Sequence, residues 1–252
     1  MSVEVLGRPA HRARTPRDTG DMPDPVQVRL DPALEMFLAR KNRPGPVDVA
    51  HDPSATAGHI VQSLGVPLTE VGSLRTESGT VPPAYRPSPG AHLRVRAPER
   101  PQLGTRFLLD VHLGTLARRM RLLGLDAAYR NDADDEQLVH RSRRDDRVLL
   151  TRDRALLQRN SLPAGAYVRG TAPDEQLDDV LDRFRPPLAP WSRCTACNGL
   201  LRPVPAAEVR AELEPGTLRT YDRYARCRDC GKVYWRGAHA PRIEDIIRAA
   251  RS

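Results

Sequence analysis

Two short apolar runs, Phe107-Leu108-Leu109 and Val148-Leu149-Leu150, each give way to an aspartate: Asp110 directly, and Asp153 after Thr151-Arg152. Runs of this length suit strands buried on both faces, as in parallel sheets, whose ligands sit outside the strands' carboxyl ends. Between them Leu113, Leu116, Ala117, Met120 and Leu123 recur at helical spacing, and Gly124 closes that helix. Asp126 to Tyr129 reads as a second strand, and Asp134-Asp135-Glu136 opens a second helix that runs through Arg143. The order β-α-β-α-β sends Asp110, Asp153 and the acidic segment Asp132 to Glu136 to one sheet edge. Carboxylates that converge there repel one another unless a cation lies among them. Taken singly, each acid also suits a plainer role as a helix cap, a turn residue or a partner of a helix dipole.

The stretches LARRMRLLGLD, DDEQL and VLLTRDRALL occur in that order. Together they resemble the RNase domain at the carboxy terminus of Mut-seven-type exonucleases, a PIN-like nuclease fold, over about residues 105–240. The resemblance implies an α/β domain over 104–185, a parallel sheet with helices on both faces. It also implies metal-dependent hydrolysis of RNA, with Asp110, Asp135 and Asp153 holding Mg²⁺ or Mn²⁺. Asp135 is preferred to Asp132 and Asp134 because it aligns with the acid of the family's D-x-x-L helix start. Asp132 and Glu136 stand as substitutes. Asp174, at the start of a later helix from Pro173 to Phe184, is either a fourth carboxylate or an ordinary first-turn acid. Arg118 and Arg121 lie off the apolar stripe of the first helix, where they either reach phosphate or face solvent. His112 beside Asp110 has no partner that would make a nucleophilic site.

Residues 1–25 are polar, without periodicity and without net charge, and read as a disordered tail. Val26 to Leu30 and His92 to Arg96 alternate apolar and polar residues, as half-buried strands do. Pro32 to Ala39 and Ser54 to Leu64 read as helices, and Pro46 to Ala50 as a further strand. This small α+β unit, 26–98, resembles the ubiquitin-like β-grasp domain that precedes the RNase domain in some bacterial proteins, SLGVPLTEVGSL being the nearest match. Its chain runs on through Arg96-Ala97-Pro98 into the next domain, which excludes carrier chemistry at a free carboxyl tail. A docking or folding module is expected, with a protein partner as its alternative use.

All four cysteines follow in two knuckles, Cys194-x-x-Cys197 and Cys227-x-x-Cys230, within a segment read as a zinc ribbon over 190–240. Gly199 and Gly231 follow the knuckles closely, and a closed structural zinc site is expected. CGKVYWRGAH matches the end of the ribbon in the same family. Residues 241–252 read as a terminal helix or tail.

Composition bounds the rest. Net charge is +8 and pI about 9.8, which favours a polyanionic partner. Residues 185–252 hold 13 basic and 7 acidic side chains, whereas 102–184 hold 14 of each, so the positive surplus lies on the ribbon. Tyr221, Tyr224, Tyr234 and Trp235 there serve either as base-stacking groups or as packing for a metal-nucleated core. No run reaches the ~18 apolar residues of a membrane span, and the first residues lack the apolar segment of a secretory signal. A cytoplasmic protein with RNA as its partner is expected. The alternative is a non-catalytic adaptor that binds RNA or recruits a protein.

Overall fold

The computed structural model describes residues 23–237 and 240–249, and most of the tail expected over 1–25 lies outside them. The first unit contains β1 (Val26–Leu30), β2 (Val47–Val49), α1 (Ala57–Ser63), β3 (Ser73–Thr76), β4 (Gly79–Val81) and β5 (His92–Arg96). Its sheet has the order β2-β1-β5-β3-β4, with β1 and β5 parallel at the centre and every other pair antiparallel. Alternation puts Val26, Val28, Leu30, Leu93 and Val95 inward, where α1 supplies Ile60 and Val61. The helix expected from Ser54 begins at Ala57, where Thr56 caps it by accepting from the His59 amide at 3.2 Å. Pro32–Phe37 is a 3₁₀ helix, since the buried pair Leu34 and Phe37 is spaced by three, which a threefold helix aligns. The β3–β4 hairpin was not expected from the sequence. Its strands are too short to show a period, and its turn depends on Gly79 at φ +125°.

The second unit is a parallel sheet of order β7-β6-β8-β9, made by β6 (Arg106–Leu109), β7 (Asp126–Tyr129), β8 (Val148–Thr151) and β9 (Gly165–Tyr167). Helices α2 (Gly114–Leu122) and α5 (Pro173–Phe184) cover one face, packing Leu116, Met120, Val180 and Phe184 on Phe107, Leu109 and Leu150. Helices α3 (Asp135–Arg144) and α4 (Arg154–Leu157) cover the other with Leu138, Val139, Leu156 and Leu157. This is the parallel sheet with helices on both faces that the resemblance to the PIN-like fold implies. Gly124, at φ +82°, turns the chain after α2 so close to Ala189 that a Cβ would stand 1.9 Å from its carbonyl oxygen.

The two units share one core. Leu108, Leu149 and Tyr167 belong to the same apolar cluster as Val28, Leu34, Phe37 and Leu93. Phe37 meets Tyr167 edge-on at 5.3 Å between ring centroids, and Arg154 lies over Phe37 at 5.0 Å. Arg154 also donates to the carbonyls of Met36 and Phe37, both at 3.0 Å. The ubiquitin-like unit is thus a covering layer of the RNase-type sheet.

The third unit is an antiparallel sheet of β10 (Leu201–Val204), β11 (Tyr224–Cys227) and β12 (Val233–Trp235). Between its knuckles the chain adds α6 (Ala206–Val209) and α7 (Pro215–Thr220), and Val204, Val209 and Tyr224 form a small core. The last helix, α8 (Ala240–Ala249), returns Ile247 to the core under α2 and α5. Among the described residues no helix is long and apolar enough to cross a membrane.

Candidate acidic edge and cysteine metal centre

Asp110 and Asp153 leave the carboxyl ends of the adjacent strands β6 and β8, and Thr151 ties them together. Its buried hydroxyl donates to Asp110 Oδ2 at 2.6 Å and accepts from the Asp153 amide at 2.9 Å. Asp110 Oδ1 accepts from the Val111 amide at 2.6 Å. Asp153 caps α4, its Oδ1 accepting from Ala155 and Leu156 at 2.7 and 3.3 Å. Each carboxylate oxygen has two lone pairs, so both groups keep acceptor capacity toward the edge. Asp110 is buried and Asp153 exposed. The part played by Thr151 is not visible in the sequence, where the only signal is a polar residue ending an apolar strand.

The other acids are engaged elsewhere. Asp135 pairs with Arg159 at 3.1 Å, and its side chain is 47% exposed. Asp134 forms a capping box with Gln137 at the start of α3, and Asp132 chelates Arg130 at 2.9 Å. Asp174 pairs with Arg119, an exposed first-turn acid of α5. Glu136 and His112 are exposed. Asp110, Asp135 and Asp153 do not close into one ligand group among the described residues. The only set of three or more such side chains close enough to share an ion there is the four cysteines.

Those sulfurs all lie within 4.8 Å of one another. Cys194 and Cys230 are 3.7 Å apart and Cys197 and Cys227 3.4 Å, near the ~3.8 Å edge that 2.3 Å metal–sulfur bonds give a tetrahedron. Amides of Cys197, Gly199 and Cys230 point at sulfur at 3.4–3.5 Å. In the first knuckle Asn198, not Gly199, takes the left-handed backbone, at φ +75°. Gly199 is needed for room instead, since a Cβ would stand 2.8 Å from Cys227 Sγ. Burial raises the Cys194 thiol, but the Tyr234 hydroxyl and the knuckle amides outweigh it and bring it down to about 6. Burial and the neighbouring sulfurs push Cys197 up to about 12. Four thiols so placed cannot all ionise without a cation among them.

The first knuckle is fastened to the RNase-type sheet. Asp126 accepts from Arg147 and from the Asn198 amide group, each at 2.7 Å, with Arg193 at 3.4 Å. Burial raises this carboxyl, but those hydrogen bonds hold it below the usual carboxylate range. Arg121 is buried and donates to the carbonyls of Ala127, Thr195 and Ala196, so it is structural and does not reach phosphate. Arg118 is exposed.

Of the ribbon aromatics, Tyr224 is core and Tyr234 bonds Cys194 Sγ at 3.0 Å. Trp235 is 36% exposed. Arg226 pairs with Glu212 at 2.6 Å and with Glu208 at 3.5 Å, whereas Arg223 and Arg228 are exposed.

A four-stranded parallel sheet with carboxylates at its carboxyl edge, fused to a four-cysteine ribbon, defines an α/β protein of the PIN-like class. The chain belongs to the Mut7-C RNAse domain family, which matches residues 105–247. Residues 24–103 match the Mut7-C ubiquitin domain. No curated protein and no solved structure matches the chain.

Proposed function

We propose that the chain is a metal-dependent ribonuclease whose acidic edge holds Mg²⁺ or Mn²⁺ through Asp110 and Asp153, with Asp135 completing the set. The observation that carries this reading is the Thr151 hydroxyl, which orients Asp110 and anchors the Asp153 amide at once. Hard carboxylate oxygens on adjacent strand ends are the donors such ions prefer. A bound ion supplies an activated water and neutralises charge at the scissile phosphate. Asp110, buried and held by two hydrogen bonds, keeps its orientation without the ion. Asp135 is released easily, because an exposed ion pair like that with Arg159 contributes only about 0–1 kcal/mol. The cysteines hold structural zinc in this reading, and Arg223 and Arg228 help dock RNA.

The test is cleavage of mixed RNAs with added Mg²⁺ or Mn²⁺, wild type against Asp110→Asn. Cleavage that needs the metal and falls at least ~100-fold in the variant is expected, since even supporting groups of a metal site contribute 10–100-fold. The adaptor reading draws on the pairing of Asp135 with Arg159. RNA binding with no metal-dependent cleavage would favour it.

A further inference from the structure

The outward face of the ubiquitin-like sheet carries a row of arginines. Pairing register sets Arg29 of β1 opposite Arg94 of β5, and Arg94 opposite Arg75 of β3. Three guanidinium side chains therefore stand abreast on neighbouring strands, with His92 and Arg96 flanking Arg94 on the same face of β5. All five residues are exposed. Across the antiparallel pair of β3 and β5, side chains directly opposite, as Arg75 and Arg94 are, stand about 4.5–5.5 Å apart at Cβ, where like charges destabilise the sheet. Among the described residues no carboxylate pairs with Arg29, Arg75, Arg94 or Arg96. The nearby acids fringe the row. Asp31 caps the 3₁₀ helix by accepting from the Ala33 amide at 3.0 Å, Asp48 sits a row away opposite Gln27, and Glu77 lies in the β3–β4 turn beside His92.

We propose that this row is a binding site for the phosphate backbone of single-stranded RNA, feeding the acidic edge. The identity of the polyanion rests on the ribonuclease reading; the site itself rests on the register. A guanidinium offers paired donors to phosphate oxygens, so a strand laid across the row relieves the repulsion between its members. The row is connected to the acidic edge through the chain. From Arg29 the chain passes through Asp31 into the 3₁₀ helix Pro32–Phe37, about 12 Å long at its ~2 Å rise per residue. The carbonyls of Met36 and Phe37 at its far end hold Arg154, the neighbour of Asp153. The row and the residue next to Asp153 are thus linked through one 3₁₀ helix, the row itself lying on the face turned away from the shared core.

The experiment measures full-chain binding to a labelled single-stranded RNA by anisotropy across salt concentrations, without added divalent metal. The paired variant Arg75→Gln, Arg94→Gln should bind more weakly, with a log–log salt slope shallower by up to about 1.4, at ~0.7 per neutralised phosphate on a single strand. Arg75→Lys, Arg94→Lys should keep the slope. The Gln pair should melt at or above the wild-type temperature, because repulsion has been removed. Unchanged affinity and slope in the Gln pair, a lower melting temperature, or a wild type that binds no RNA would overturn the proposal. So would a Gln pair that loses only a polyglutamate probe, which would assign the face to an acidic protein. RNA bound through the row but never cleaved with metal leaves the site standing and removes the ribonuclease reading.

Discussion

Glu70 of the ubiquitin-like unit and Arg183 of α5 form a bidentate ion pair at 2.8 and 3.1 Å, with side chains only 1% and 2% exposed. Glu70 Oε1 also accepts from the Tyr167 amide at 2.8 Å. The pair therefore joins the first unit to a strand and a helix of the second, across the core they share. Removing one partner strands a buried charge and should lower stability by about 3–5 kcal/mol, whereas replacing both with apolar groups recovers much of that. Urea denaturation should show Glu70→Leu and Arg183→Met each strongly destabilised and the double variant less so than either. Wild-type residues 26–184 should unfold in one transition. Removing residues 1–100 should destabilise the RNase-type sheet, because Tyr167 loses Phe37 and the buried Arg183 loses Glu70.

Thr151 offers a finer test of the acidic edge. Thr151→Val keeps the shape but leaves the Asp153 amide without its acceptor and Asp110 Oδ2 without its donor. Stability should fall by about 1–3 kcal/mol, and metal-dependent cleavage by about 10–100-fold, as for the removal of groups that orient metal ligands. Thr151→Ser should restore both. Equal loss in the Val and Ser variants would show that the hydroxyl does not orient the carboxylates.

Much of this architecture is legible in the chain itself. Phe107 to Leu109 and Val148 to Leu150 announce buried strands because their apolar residues are consecutive rather than alternating, and the structure buries all of them on two faces except the half-buried Val148. The cysteine knuckles are equally plain, since their spacing is set by the ion they can share. What stays hidden is long-range pairing. Asp126 reads as the first residue of a strand and is the anchor of the ribbon. Arg121 reads as a surface cation and is buried against a knuckle 74 residues on. Glu70 sits in an unremarkable turn, yet its partner is 113 residues away. Among the acids, residue type and order suggested one cluster. Local geometry instead assigns Asp134 to a cap and Asp132 and Asp135 to nearby arginines.

Acid should loosen the ribbon from the sheet before the core fails. The folded Asp126 carboxyl lies below its ordinary value of 3.8. A depressed folded pKa contributes stability that is complete above the unfolded value and is lost as pH falls through the folded one. Between about pH 4 and lower values, the bonds from Arg147, Asn198 and Arg193 should therefore weaken. Near-ultraviolet signals of Trp191 and Trp235 should change in that window, and Asp126→Asn should show the change already at neutral pH. An Asp126→Asn protein with wild-type signals at every pH would remove this anchor.

Native protein should carry about one zinc per chain on Cys194, Cys197, Cys227 and Cys230. The ligands come from two knuckles 29 residues apart in sequence, so chelation should unfold the three-stranded ribbon first. Hydrogen exchange should rise in β10 to β12 while β6 to β9 stay protected, and zinc should reverse it. Protein purified without zinc and with a Cys194–Cys230 disulfide would end this reading.

Binding and cutting should separate by mutation. Asp153→Asn alters a carboxylate at the acidic edge but keeps an acceptor for the α4 amides, so cleavage should collapse while RNA affinity holds or rises slightly. Ribbon charge should act in the opposite way. Arg226 is a poor choice for this test, because it holds Glu208 and Glu212 and donates to the Gly231 carbonyl at 3.1 Å. Removing it would disturb the ribbon itself. Arg223→Gln with Arg228→Gln leaves those bonds alone and removes two exposed charges. Affinity should fall, and the log–log salt slope should flatten by up to about 0.7 for each single-strand phosphate that is no longer neutralised. Single-turnover cleavage at saturating RNA should stay near wild type, because the strand, once bound, meets an unchanged acidic edge. If the arginine pair binds normally and Asp153→Asn loses RNA, the ribbon does not dock the substrate, and the acidic edge contributes to the grip on RNA.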